Sequence, residues 1–137
     1  MQISKLFAKN LRFLRKAAGV ASRGNSFSQN EIANFIGVSR KTLVFWESGH
    51  IPSDIMMGKL CEYFSRRLEL EEPFLPEQLL NEDISEHFVI IPERGEVRKV
   101  TPTQKKLLNN LFARATNISE KDLNKIMEII DKLEGQF

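Results

Sequence analysis

Apolar side chains recur at helical spacing along most of this chain. Over residues 3–18 they fall at Ile3, Phe7, Leu11, Leu14 and Ala18, with Lys5, Lys9, Arg12 and Lys16 on another face, which predicts a first helix. Gly19 is expected to end it. Residues 20–27 then form a polar loop holding one large apolar residue, Phe27. Ser28 and Glu31 frame a capping box that opens a second helix through Ile32, Phe35 and Ile36, closed by Gly37. Ser39 caps a third helix over 40–47, terminated by Gly49 and Pro52. Ser53 caps a fourth, running to about Phe64 through Met57, Leu60 and Cys61.

The pattern then changes. Residues 65–73 are charged and irregular. Pro76 suits the first turn of a short fifth helix reaching Asn81. Residues 88–91 and 97–100 are β-prone runs around Pro-Glu-Arg-Gly, so 82–101 reads as a linker or a short β-hairpin. Thr101, Pro102 and Gln104 combine a cap, a proline at the first helical position and a glutamine at the third. The helix they open carries Leu107, Leu108, Leu111 and Phe112, and Ser119 caps a last helix over 120–134, with Gly135 as its stop. The fold class predicted is mostly α: five helices over 1–81, the linker or short β-hairpin over 82–101, and a C-terminal helical hairpin over 102–137.

Composition narrows the function. Apolar residues make up 42% of the 137 and charged residues 28%, a globular balance. The net charge of +2 hides an uneven spread: +6 over residues 1–50, −5 over 51–100 and +1 over 101–137. The basic first third suits a polyanionic partner. The single Cys61 excludes a disulfide framework and a cysteine-built zinc site, and fits a reducing, cytoplasmic setting. No apolar run approaches the roughly 18 residues a membrane helix needs. Lys9, Arg12, Arg15 and Lys16 interrupt any signal-peptide core, so neither a membrane partner nor a leader is expected. There is no glycine-rich phosphate loop. The two histidines, His50 and His87, belong to no ligand cluster, and no nucleophile stands with a base. No enzyme activity, metal or cofactor is therefore expected.

The stretch 28–49 carries the chemistry. Two short helices meet at Gly37-Val38-Ser39, a turn too tight for parallel packing. Ala33 is small where the helices approach, Gly37 can take a left-handed conformation, and Val38, Leu43 and Trp46 point inward. This is a helix-turn-helix arrangement, whose second helix enters the major groove of double-stranded DNA.

Over roughly residues 5–81 the chain resembles the lambda-repressor-like, Cro-type helix-turn-helix domains of the XRE family. Leu11-Arg12 and Leu14-Arg15 resemble the family's first helix, and Ser28-Gln29 the Ser/Thr-Gln that starts its second. Ala33, Gly37-Val38-Ser39, Trp46-Glu47 and Gly49 fall in register, and Met57, Leu60, Cys61 and Phe64 match its fourth helix, with Cys61 at a usual alanine position. The resemblance implies a five-helix DNA-binding domain of a sequence-specific transcriptional regulator, a repressor. It implies that Gln29 binds a phosphate, and a helix N-terminus favours an anion. Arg40 and Lys41 stand where the family reads bases, and Arg can chelate guanine; Lys41 is equally a phosphate contact. Ser39 and Thr42 are phosphate contacts, or a cap and a surface hydroxyl. Arg15 and Glu47 stand where the family forms an ion pair between its first and third helices.

Some positions depart from the family. Val44 and Phe45 replace polar residues; Phe45 either meets a thymine methyl in the groove or packs against the 20–27 loop or a partner. His50, where Lys or Arg is usual, touches phosphate or is solvated. The loop after the first helix is about seven residues longer, and its Arg23 adds a backbone contact or belongs to a tolerated insertion.

Beyond residue 101, Leu123, Ile126, Ile130, Leu133 and Phe137 follow 3-4 spacing, with Met127 and Ile129 widening the apolar face. Two amphipathic helices cannot bury such faces alone. They cover a second copy, giving a homodimer, or they pack on the first domain. Because one domain of this kind reads a half-site, the homodimer is the preferred reading. About 37 residues are too few for the self-cleaving peptidase domain of larger family members. The alternative function is that of an antitoxin, which binds a toxin protein as well as its own operator.

Overall fold

A computed structural model describes residues 2–134. The chain divides into two compact units, one ending at Thr101 and one starting at Pro102. Gly135 and Phe137, expected to end the last helix and to extend its apolar face, lie outside the described residues. Among those residues there are seven α-helices and one two-stranded sheet, and no helix is long and apolar enough to cross a membrane.

The first helix, α1, covers Ile3–Arg23 and buries Phe7, Leu11, Leu14 and Ala18. It does not stop at Gly19. It runs on to Gly24, whose left-handed φ of 88° and N–H bond to Val20 O close it. Gly19 serves another purpose. A Cβ there would stand 2.3 Å from Phe27 N and 2.4 Å from Asn25 O, so the glycine lets residues 25–27 lie against the helix. The long loop expected over 20–27 is thus mostly an extra helical turn, followed by a short link that folds Phe27 into the core.

Local chemistry sets the next two helices. α2 spans Gln29–Ile36; Ser28 Oγ accepts from Glu31 N at 3.1 Å while Ser28 N donates to Glu31 Oε1 at 3.0 Å. Gly37, at φ 88°, turns the chain and donates to Ala33 O. α3 spans Arg40–Glu47, and Ser39 Oγ accepts from Thr42 N at 3.1 Å. Ile32, Ala33, Leu43 and Trp46 join the two helices to the core, with Val38 packed at its edge. Phe35, expected on the buried stripe of α2, is about half exposed. Its ring meets Phe27 edge-to-face and stacks on Tyr63, with the Arg67 guanidinium over it.

α4 covers Asp54–Arg67 and contributes Met57, Leu60, Cys61 and Phe64. It passes the expected end at Phe64 because Ser65 is satisfied inside it. The Ser65 hydroxyl donates to Cys61 O at 2.5 Å and accepts from Phe74 N at 2.9 Å, which ties the irregular connection back to the helix. Burial pushes the Cys61 thiol up to about 11.

α5, Pro76–Asn81, is held by a single buried amide. Asn10 Nδ2 donates to Leu79 O at 2.9 Å and Glu82 O at 2.7 Å, and its Oδ1 accepts from Ile84 N at 2.9 Å. Lys9 pairs with Asp83 beside it, at 2.5 Å. Burial raises the Asp83 carboxyl, but the Lys9 and Ser85 hydrogen bonds outweigh it and leave the group below its ordinary value. From here β1, Phe88–Ile91, pairs antiparallel with β2, Glu96–Lys99, in the register Phe88 to Lys99 and Ile91 to Glu96. Two short strands are marginal alone. Buried Phe88 anchors them between the rings of Phe13 and Phe74, so 82–101 belongs to the first unit rather than trailing as a linker.

The second unit holds α6, Pro102–Ala115, and α7, Glu120–Glu134. Ser119 Oγ caps α7 by accepting from Asp122 N at 3.2 Å. Leu123, Ile126 and Ile130 are half-buried, while Leu107, Leu111, Phe112, Met127, Ile129 and Leu133 stay exposed.

Candidate nucleic-acid interface

α3 divides cleanly into two faces. Leu43, Trp46 and Glu47 are buried. Arg40, Lys41, Val44 and Phe45, at positions i, i+1, i+4 and i+5, are all exposed on the opposite side. Two cations and two apolar side chains therefore share one outward surface on a helix of eight residues.

The inner face is locked by Glu47. Arg15 Nε donates to its Oε2 at 2.8 Å and Arg15 Nη2 to its Oε1 at 3.0 Å, a two-point pair whose carboxylate side chain is only 4% exposed. Arg15 Nη1 also donates to Phe27 O at 3.0 Å, and Arg12 Nη1 to Glu47 O at 2.6 Å. α1 thus grips the end of α3 by side chain and by backbone. The Arg12 contact had no sequence signal, because its acceptor is a main-chain oxygen 35 residues away.

The same carboxylate reaches the start of α2. Gln29 Nε2 donates to Glu47 Oε1 at 3.2 Å, and Gln29 Oε1 accepts from Arg40 Nη2 at 3.5 Å, the outer limit of a hydrogen bond. Gln29 and Arg40, expected as phosphate and base contacts, therefore stand side by side. The backbone N–H groups of Gln29 and Asn30 have no acceptor among the described residues, which leaves the start of α2 open to an anion. Ser39 and Thr42 touch each other at 2.9 Å near the start of α3.

One expected contact is engaged elsewhere. Arg23 forms an ion pair with Glu31, donates to Ser26 O at 2.7 Å, and lies over the Phe27 ring at 4.7 Å. Hydrogen bonding from Arg23, then from the Ser28 N–H, brings the Glu31 carboxyl down to about 2. In the 20–27 segment, the Phe27 ring meets Phe35 rather than Phe45. The ring against Phe45 is that of His50, 5.0 Å away at 78°.

A short capped helix, a glycine turn and a second helix with a basic-apolar outer face, braced from behind by a third, make up a DNA-binding helix-turn-helix. Residues 25–70 match the family model described as Helix-turn-helix, which places this stretch among the lambda-repressor-like domains. That family is one of DNA-binding regulators rather than of enzymes, and the protein is a DNA-binding transcriptional regulator. No curated protein and no solved structure matches the chain.

Proposed function

We propose that this protein is a repressor that reads a two-half-site operator as a homodimer. The observation that carries the reading is the division of α3, whose outward face gathers Arg40, Lys41, Val44 and Phe45. In a major groove, Arg40 suits guanine O6 and N7, and Val44 and Phe45 suit thymine methyls. Lys41 takes a base or a phosphate. Gln29, Ser39 and Thr42 hold phosphates around the two helix starts. Arg23 is left out of this set, because leaving Glu31 for a phosphate exchanges one ion pair for another. Leu123, Ile126, Ile130 and Leu133 of α7 join two copies, in keeping with an apolar face that is only half-covered within its own unit.

A randomised-site selection on wild type, Arg40→Ala, Gln29→Ala and a chain ending at Thr101 tests this. Arg40→Ala relaxes preference at one base pair per half-site and costs about 1–3 kcal/mol on the best sequence. Gln29→Ala weakens all sequences alike, because phosphates carry no base identity. The shortened chain keeps the half-site preference and loses tight binding to paired half-sites. Unchanged base preferences in Arg40→Ala overturn the recognition assignment, and undiminished paired-site binding by the shortened chain overturns the dimer role.

A further inference from the structure

We infer that His50 is a positioning residue, which holds the Phe45 ring in one orientation for reading a thymine; the inference rests on Phe45 facing the groove. An exposed phenylalanine on a helix has two common χ1 wells. A free ring would be ordered only on binding, at an entropic cost set against affinity. Phe45 is 48% exposed, and the His50 ring is its aromatic neighbour among the described residues. At 5.0 Å and 78° the two rings are in the favoured edge-to-face arrangement.

His50 is itself fixed from three directions. Gly49 turns the chain at φ 111°, and a Cβ there would lie 3.1 Å from Ser4 O, so the turn is seated against the start of α1. His50 N donates to Phe45 O at 3.1 Å. His50 Nδ1 lies 3.2 Å from the same oxygen, and a carbonyl only accepts, so Nδ1 carries the proton. Ser48 Oγ donates there too, at 2.7 Å. The backbone of Phe45 and the imidazole that flanks its ring are thus fastened at one carbonyl oxygen.

This also decides between two uses of His50. A phosphate contact needs a free donor, and the Nδ1–H already points at Phe45 O. Ordering Phe45 needs no donor, only the ring face.

The test uses the full chain and duplexes that vary at the one base step where Phe45→Ala changes the preference. We expect His50→Ala to reduce the thymine preference at that step about two- to tenfold, the range of an edge-to-face pair, and to leave the preference set by Arg40 intact. His50→Phe keeps a ring in place and restores the thymine preference without an imidazole. A His50→Ala protein that weakens every duplex equally and keeps its thymine preference overturns the inference, since a phosphate contact or a merely structural role would do that. If Phe45→Ala itself alters no step, the groove-facing assignment of Phe45 fails and takes the inference with it. Arg40→Ala then shows separately whether α3 reads bases at all.

Discussion

Replacing Glu47 by alanine removes the group on which α1, α2 and α3 converge. The carboxylate is 4% exposed and takes hydrogen bonds from Arg15 at 2.8 and 3.0 Å and from Gln29 at 3.2 Å. Removing one partner of a buried pair costs about 3–5 kcal/mol, because a charge is left without compensation. Arg15 is not fully interior: its side chain is 22% exposed and keeps its bond to Phe27 O. Water can therefore reach part of the stranded guanidinium, which brings the expected loss to about 2–3 kcal/mol. The protein supplies its own probe. Trp46 is the only tryptophan, is 7% exposed and precedes Glu47 in the chain. Urea unfolding followed by Trp46 fluorescence then reports on the first unit alone. The double variant Arg15→Ala/Glu47→Ala should be less destabilised than the sum of the two single variants, because neither charge is left alone. A loss below about 1 kcal/mol in Glu47→Ala, or full additivity in the double variant, would refute the picture of a coupled buried pair.

Two further outcomes follow from local geometry. Gly19→Ala gains about 1 kcal/mol of helix propensity but drives a methyl group to within 2.5 Å of three backbone atoms of residues 25–27. Overpacking of this kind costs about 1–3 kcal/mol or more, so the melting temperature should fall; a rise would mean that Gly19 faces open space. The Glu31 carboxyl, held at about 2 by Arg23 and the Ser28 N–H, lies below the roughly 4.3 of an unfolded glutamate. Its contribution is therefore complete above about pH 4.3 and is lost as pH falls towards 2. NMR titration should show the Glu31 midpoint near 2 and its return towards 4 in Arg23→Ala, whereas a wild-type midpoint near 4 contradicts the clamp.

Between residues 28 and 49 the sequence is readable because each boundary carries its own chemistry within four positions. Ser28 and Glu31 cap each other, Gly37 supplies the left-handed turn, and Ser39 caps α3. The two faces of α3 follow from its period alone. Gly19 was misleading for the opposite reason. Its role is set by residues 25–27 folding back, which a local stop signal cannot express. The same holds for the end of α4, where Ser65 answers to Phe74, and for the hairpin, whose seat depends on Phe88 lying between the rings of Phe13 and Phe74. Within the site, the side chains were legible but their engagements were not. Arg23 reaches Glu31 around a loop, and His50 reaches Phe45 around the end of a helix, spacings that no helical or strand period produces.

Three polar residues of α1, Asn10, Arg12 and Arg15, grip other elements within five positions, about 8 Å along the axis. Asn10 faces one way and holds residues 79–84; Arg12 and Arg15 face the other and hold the end of α3. A rod fastened on opposite sides at nearly the same height cannot turn about its axis without breaking one fastening or straining the other. Residues 79–84 and the recognition helix are in this sense mounted on one axle.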